Sequence, residues 1–225
     1  FGYKVAGGEN FAIPRILNTL FWLLAGLALF DLARRMTSNE AALVALAFYL
    51  VLPFSVQASR SFQPDPLMTS LFVGGLYALY RWVEEKTWRW AILAALLLGL
   101  ATLVKIVIAF FVAAVAIAAV LVSKAPILPF PLRGKEKKFS PPQGESGERE
   151  RWGQVWVMAI IMILPAFSYY IIGGGERSGE YFVSWTLDLI YLLSSTKFYL
   201  QWMTFIGSLF GLPIIYLSII GTLLL

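Results

Sequence analysis

Residues 90–122 of this chain are apolar except for Lys105. At 1.5 Å per residue, one helix of that length would reach about 50 Å, well beyond a hydrocarbon core of about 30 Å. In water, such a run would need cover on every side. The rest of the chain offers little: 59% of the 225 residues are hydrophobic and 14% are charged, against about 25% charged in an average soluble domain. These figures exclude a disordered chain and argue against a soluble domain. The solvent this chain suits is lipid.

Cysteine and histidine are both absent. Disulfides, Cys/His metal sites and Ser-His-Asp or Cys-His catalysis are therefore excluded for these residues. The net charge is +5. The cations stand at the ends of apolar runs, where membrane topology accounts for them and a nucleic-acid partner is not expected. The sequence opens Phe1-Gly2-Tyr3 without Met and ends inside an apolar run, so it reads as an internal fragment of a longer membrane protein.

Apolar length predicts an all-α polytopic membrane protein with about seven transmembrane helices in one domain, 1–225. The expected spans are 13–31, 40–58, 66–83, 88–104, 106–122, 154–173 and 201–222. A Pro-, Gly- and Lys-rich linker covers 123–153, and an outer loop or interfacial helix covers 174–200. Trp82, Trp88 and Trp90 flank a charged turn with Arg81, Glu84, Glu85, Lys86 and Arg89 as interface anchors. Charge asymmetry decides the reading of 90–122. If the chain turns at Lys105, twelve of the 18 basic residues, from Arg34 to Arg151, fall on one side. The positive-inside rule makes that side cytoplasmic and leaves Lys4, Arg15, Arg60, Lys105, Arg177 and Lys197 outside.

The outer side holds the chemistry-bearing residues. Pro64 and Pro66 bracket Asp65 and fix the backbone on both sides. A carboxylate at a membrane cavity has either a task or a partner. Asp65 reads as an N-cap of the next helix, as a site residue, or as both. Lys105 reads as a snorkelling lysine at a turn or as an ammonium that meets a lipid phosphate. Glu9 and Arg15 form an acid–base pair ahead of the first span, in Glu9-Asn-Phe-Ala-Ile-Pro-Arg15. Helix-start chemistry explains that pair equally well. Glu9 is also an oxygen ligand of the kind divalent metals take, but one carboxylate defines no site. A divalent metal therefore stays open, and no metal ligand is assigned.

Three pieces in order carry a resemblance. They are E-x-x-x-x-P-R ending at Arg15, S-x-x-x-P-D-P from Ser61 to Pro66, and W-x-x-A-x-x-x-x-x-L-G-L-A-x-L-V-K ending at Lys105. Over about 3–125 the chain resembles GT-C glycosyltransferases that use polyprenyl-phosphate sugars. These include glycosyltransferase family 39 with the protein mannosyltransferases, the lipid A aminoarabinose transferase group and the RgtA/B/C/D-like branch. The resemblance implies inverting transfer of a hexosyl or pentosyl unit from a polyprenyl-phosphate donor to an envelope glycan, lipid or protein acceptor. It also implies a multi-pass plasma (inner) membrane protein with its active site on the non-cytoplasmic face. Asp65 and Glu9 match catalytic positions, and the principal catalytic acid is expected upstream of residue 1. Lys105 matches the lysine on the lipid-phosphate side, with Arg15, Arg60 and Arg177 as further substrate-binding cations.

That chemistry needs a carboxylate to orient or deprotonate a hydroxyl and cations to stabilise the departing phosphate. Two other classes stay open from the residues alone. A transporter or flippase would carry charges inside its spans and paired broken helices at mid-membrane. A non-catalytic scaffold would give no reason for Pro64-Asp65-Pro66 or Lys105.

Overall fold

The computed structural model describes residues 12–60, 63–124, 144–172, 184, 187–188, 190–210 and 216. Every regular element among them is helical. The chain divides into two units, Phe1–Tyr169 and Tyr170–Leu225.

In the first unit, α1 spans Ala12–Met36 and opens with Pro14 in its first turn, where a missing N–H costs nothing. At its far end, Asp31 accepts from Arg34 and, at 2.8 Å, from Arg35 Nε. Ser38 then caps α2, Asn39–Val51, its hydroxyl accepting from Ala41 N at 3.2 Å. Trp22 of α1 stacks on Tyr49 of α2 with ring centroids 4.5 Å apart, and the Tyr49 hydroxyl donates to the Trp22 carbonyl.

The expected span 40–58 is interrupted. Leu52 adopts φ −55°, ψ 136°, and a separate short helix, α3, runs over Pro53–Arg60. Proline disfavours helical backbone in the residue before it, which is the reason for the break.

Helix α4, Asp65–Glu85, and helix α5, Trp88–Val104, form the centre of the unit. The buried face of α5 carries Ala91, Ala94, Ala95, Leu98, Gly99, Ala101 and Thr102, spaced three or four apart and mostly small. Small residues let helix backbones approach closely when lipid supplies no hydrophobic drive between helices. A Cβ on Gly75 of α4 would stand 2.6 Å from Leu98 Cδ2. The opposite face of α5, with Leu93, Leu96, Leu100 and Leu103 exposed, is equally apolar. A helix that is apolar all round is one that faces lipid or a deep core.

The long apolar run does break at Lys105. That residue leaves helical backbone (φ −152°, ψ 108°), a 3₁₀ turn follows at Ile106–Ile108, and α6 covers Ala109–Lys124. Continuing straight, α6 would carry Ala119 about 20 Å beyond Lys105. Instead, Val112 and Ala119 join the core that holds Ala78, Trp82, Ala91 and Met158. The chain therefore turns at Lys105 and packs back along α4. Helix α7, Gly144–Ile172, closes the unit against Gly99, where a Cβ would meet the carbonyl oxygens of Ile161 and Met162 at 3.0 Å.

Two described helices are long and apolar enough to cross a membrane by length and composition, Ala12–Met36 and Arg149–Tyr169. Asn39–Val51, Trp88–Val104 and Ile106–Val122 are shorter apolar helices.

The second unit contains a 3₁₀ turn, Ile190–Ser194, and helix α8, Thr196–Phe210. Along α8, the rings of Phe198, Trp202 and Phe205 meet edge to face, at 6.3 and 5.8 Å between centroids. The expected seventh span begins within this helix, and most of 211–222 lies outside the described residues.

Candidate functional site

The Pro-Asp-Pro segment and the lysine of the apolar run come together. Lys105 Nζ donates to Asp65 Oδ1 at 2.6 Å. The local backbone explains both positions. Pro64 occupies the cap of α4, Met68 N bonds back to its carbonyl, and Pro66 fits the first turn. No side chain caps this helix, so the capping role open to Asp65 in sequence is not the one it takes. Its carboxylate turns to the ammonium instead. Lys105 stands at the joint between α5 and the 3₁₀ turn, where Lys105 N still bonds to Ala101 O and Lys105 O already accepts from Ile108 N. Both side chains keep access to the surroundings, at 45% exposure for Lys105 and 26% for Asp65.

The first turns of α1 hold the segment that leads into Asp65. Asn18 Nδ2 donates to the Gln63 carbonyl at 3.0 Å. The Thr19 hydroxyl bonds to the Arg15 carbonyl at 2.9 Å and lies 3.4 Å from the Ser59 carbonyl. Arg15 and Arg60 are both exposed and lie on the elements joined by these bonds. Four of the residues singled out in the sequence thus belong to one end of the first unit. Glu9 and Arg177 lie outside the described residues, so a cavity shared by Glu9 and Asp65 is not seen. Among the described residues, no three His, Cys, Asp or Glu side chains converge, and Asp65 is partnered by an ammonium rather than by a second carboxylate.

Asn18 and Thr19 were not singled out in the sequence. Their signal was there: an amide and a hydroxyl in the second turn of an apolar helix, where polar groups need partners.

At the opposite end of α4, charge is arranged differently. Glu85 takes Arg81, Arg89 Nη2 at 3.2 Å and Trp90 Nε1 at 2.8 Å. Arg81 above all, with Trp90 and Arg89, holds the Glu85 carboxyl down at about 2. Buried Trp82 donates to Gln154 Oε1 at 2.6 Å, and Gln154 Nε2 donates to the Lys86 carbonyl at 3.0 Å.

A family model described as dolichyl-phosphate-mannose-protein mannosyltransferase matches residues 1–129. The chain belongs to the dolichyl-phosphate-mannose-protein mannosyltransferase family. That match takes in Glu9, Arg15, Arg60, Asp65 and Lys105, and Arg177 lies beyond it. Family membership makes this a GT-C-type membrane glycosyltransferase in general terms. No curated protein and no solved structure matches the chain.

Proposed function

We propose that this mannosyltransferase-family chain forms the membrane part of an inverting transferase. It moves a sugar from a polyprenyl-phosphate donor to an acceptor on the non-cytoplasmic side of the plasma membrane. The supporting observation is the Asp65–Lys105 pair. In inverting transfer, an acceptor oxygen attacks the anomeric carbon as the bond to the phosphate oxygen breaks. The acceptor proton passes to a carboxylate, and the phosphate leaves with an added negative charge. A carboxylate and an ammonium in contact suit both ends of that charge movement. Lys105 takes the phosphate as a compact point charge, and Asp65 orients the acceptor hydroxyl beside it. Arg15 and Arg60 add positive charge at the same end, with Glu9 and Arg177 as further candidate contacts.

A seven-span bundle, with its basic loops cytoplasmic, puts Lys105 and Asp65 at the outer interface, where the donor's own tail holds its phosphate. The break at Lys105 supports that arrangement, because two short apolar helices end where a single overlong one would not.

Transfer from a lipid-linked sugar, measured at subsaturating donor, tests the reading. Losing one charge-assisted bond costs about 1.5–3 kcal/mol, so Lys105→Gln should slow transfer about ten- to a hundredfold. Asp65→Asn/Lys105→Gln removes both charges and separates a structural pair from a working one. A double variant that folds and transfers at the native rate would overturn the assignment.

A further inference from the structure

The corner Pro64-Asp65-Pro66 has few ways to hold itself in place. Proline has no N–H, so two of its three residues bring carbonyls to the segment and no backbone donor. The Pro64 carbonyl accepts from Met68 N as the first bond of α4. The Gln63 carbonyl, one residue ahead of the corner, is taken by another helix: Asn18 Nδ2 of α1 donates to it at 3.0 Å. Thr19, the next residue on α1, stands 3.4 Å from the Ser59 carbonyl, but its hydroxyl has one proton and a closer acceptor, the Arg15 carbonyl at 2.9 Å. Two consecutive side chains of α1 thus reach the chain on both flanks of 60–62, and Asn18 makes the stronger of the two contacts.

Asn18 stands on the packing face of α1. Trp22, Ala25 and Gly26, at four, seven and eight residues further on, are buried, whereas the neighbouring Leu17 and Leu20 are exposed. Packing alone does not call for an amide there, and turning one inward is costly unless it is bonded. The two members of the Asp65–Lys105 pair are also mounted differently. The Lys105 backbone is fixed within its own stretch of chain, by Lys105 N to Ala101 O and Ile108 N to Lys105 O. Asp65 is the first residue of α4, a helix that no side chain caps, and helix ends open most readily. The position of Asp65 therefore depends on the chain just ahead of it, which is the part Asn18 grips.

We propose that Asn18 is a positioning residue for the transfer site: through the Gln63 carbonyl it holds Asp65 where its carboxylate meets the acceptor hydroxyl, and it leaves the phosphate side at Lys105 undisturbed. The assignment rests on the transfer reading of the Asp65–Lys105 pair. One partly exposed hydrogen bond adds little to stability, whereas a misplacement of about 1 Å at a reacting group slows a reaction up to about a hundredfold. The contact should be felt in transfer far more than in unfolding.

Asn18→Leu in the full chain tests this, with Asn18→Ala as a second variant that adds no bulk at the corner. Both should unfold close to the native temperature and slow transfer from a lipid-linked sugar about tenfold or more at saturating donor. Both should bind polyprenyl phosphate, the carrier without its sugar, within about twofold of the native chain, whereas Lys105→Gln should weaken that binding about tenfold or more. On an Asp65→Asn background, Asn18→Leu should slow transfer no further, because the carboxylate it positions is gone. Hydrogen exchange at the Met68 amide, which closes the first turn of α4, should quicken several-fold in Asn18→Leu. Native transfer by both Asn18 variants would overturn the proposal, as would the same slowing on the native and Asp65→Asn backgrounds, or unchanged exchange at Met68. A large fall in unfolding temperature in both variants would make the bond a structural one and overturn it too. If Asp65→Asn transfers at the native rate while exchange at Met68 quickens in Asn18→Leu, the transfer reading itself fails, and Asn18 fastens the corner without serving a reaction.

Discussion

Asp65 and Lys105 are forty residues apart in sequence and 2.6 Å apart in space. The contact joins the start of α4 to the end of α5. One helix start fixed by two prolines and one helix break converge on it.

The pair is partly exposed, so its contribution to stability should be modest. Exposed ion pairs contribute about 0.2–1 kcal/mol. In a double-mutant cycle of Asp65→Asn and Lys105→Gln, the coupling energy from thermal or denaturant unfolding should stay near or below about 1 kcal/mol. Transfer should fall at least tenfold in each single variant. A cycle in which unfolding moves strongly and transfer does not would make the contact a staple between helices.

The buried amide of Gln154 should matter more to folding. It accepts from Trp82 Nε1 and donates to the Lys86 carbonyl, joining α7 to the last turn of α4 and to the residue that ends it. Gln154→Leu leaves both partners unsatisfied, at about 1–3 kcal/mol for each buried polar group. The variant should unfold well below the native temperature. Trp82→Phe/Gln154→Leu should recover part of the loss, because the orphaned indole N–H is then gone. Equal stability of Gln154→Leu and the native chain would show that water replaces the amide.

Much of this architecture was legible in the sequence. The break at Lys105 was readable because a 33-residue apolar run cannot be one span, and charge asymmetry chose the turn. Pro64-Asp65-Pro66 announced a fixed corner. What the sequence left open was the destination of each polar group. Asp65 had capping and site roles open to it, and only the return of α5 beside α4 brings Lys105 to it. The interruption at Leu52 was implicit in Pro53, yet the apolar pattern of 40–58 runs through it. Lys86 looked like one cation of a solvated turn. Its inward ammonium depends on the left-handed backbone at that residue and on Trp82 lying beneath it, which no local pattern encodes.

Glycine substitutions should sort by what surrounds each position. At Gly99, a methyl would press on the backbone carbonyls of Ile161 and Met162, which cannot rotate away, so Gly99→Ala should separate α5 from α7. Overpacking of this kind costs about 1–3 kcal/mol. At Gly75 the obstacle is the side chain of Leu98, itself fully buried, and a similar loss is expected. Gly153 has nothing within 4 Å of the added atom, and alanine is the better helix former. Gly153→Ala should therefore be neutral or stabilise slightly. Thermal unfolding of the three variants in one detergent checks the order. Gly99→Ala as stable as Gly153→Ala would contradict the close helix contact.

Lys86 should give stability a pH dependence of definite sign. Burial, with Arg151 adding to it, lowers its pKa from an ordinary 10.5 to about 8. The groups facing it are Arg151 from α7, the Trp82 ring from its own helix and the neighbouring Thr87; Glu85 is held by Arg81 and Arg89. Between pH 8 and 10.5 the unfolded chain binds more protons at this residue than the folded chain does. Stability contributed by Lys86 therefore rises with pH across that window and is constant below it, where both states are protonated. Tyrosines also titrate at the upper end, so the measurement is a difference. In zwitterionic detergent, the unfolding temperature of the native chain minus that of Lys86→Met should increase as pH goes from 8 to 10. A difference that is flat, or that falls as pH rises, would place the Lys86 ammonium in water.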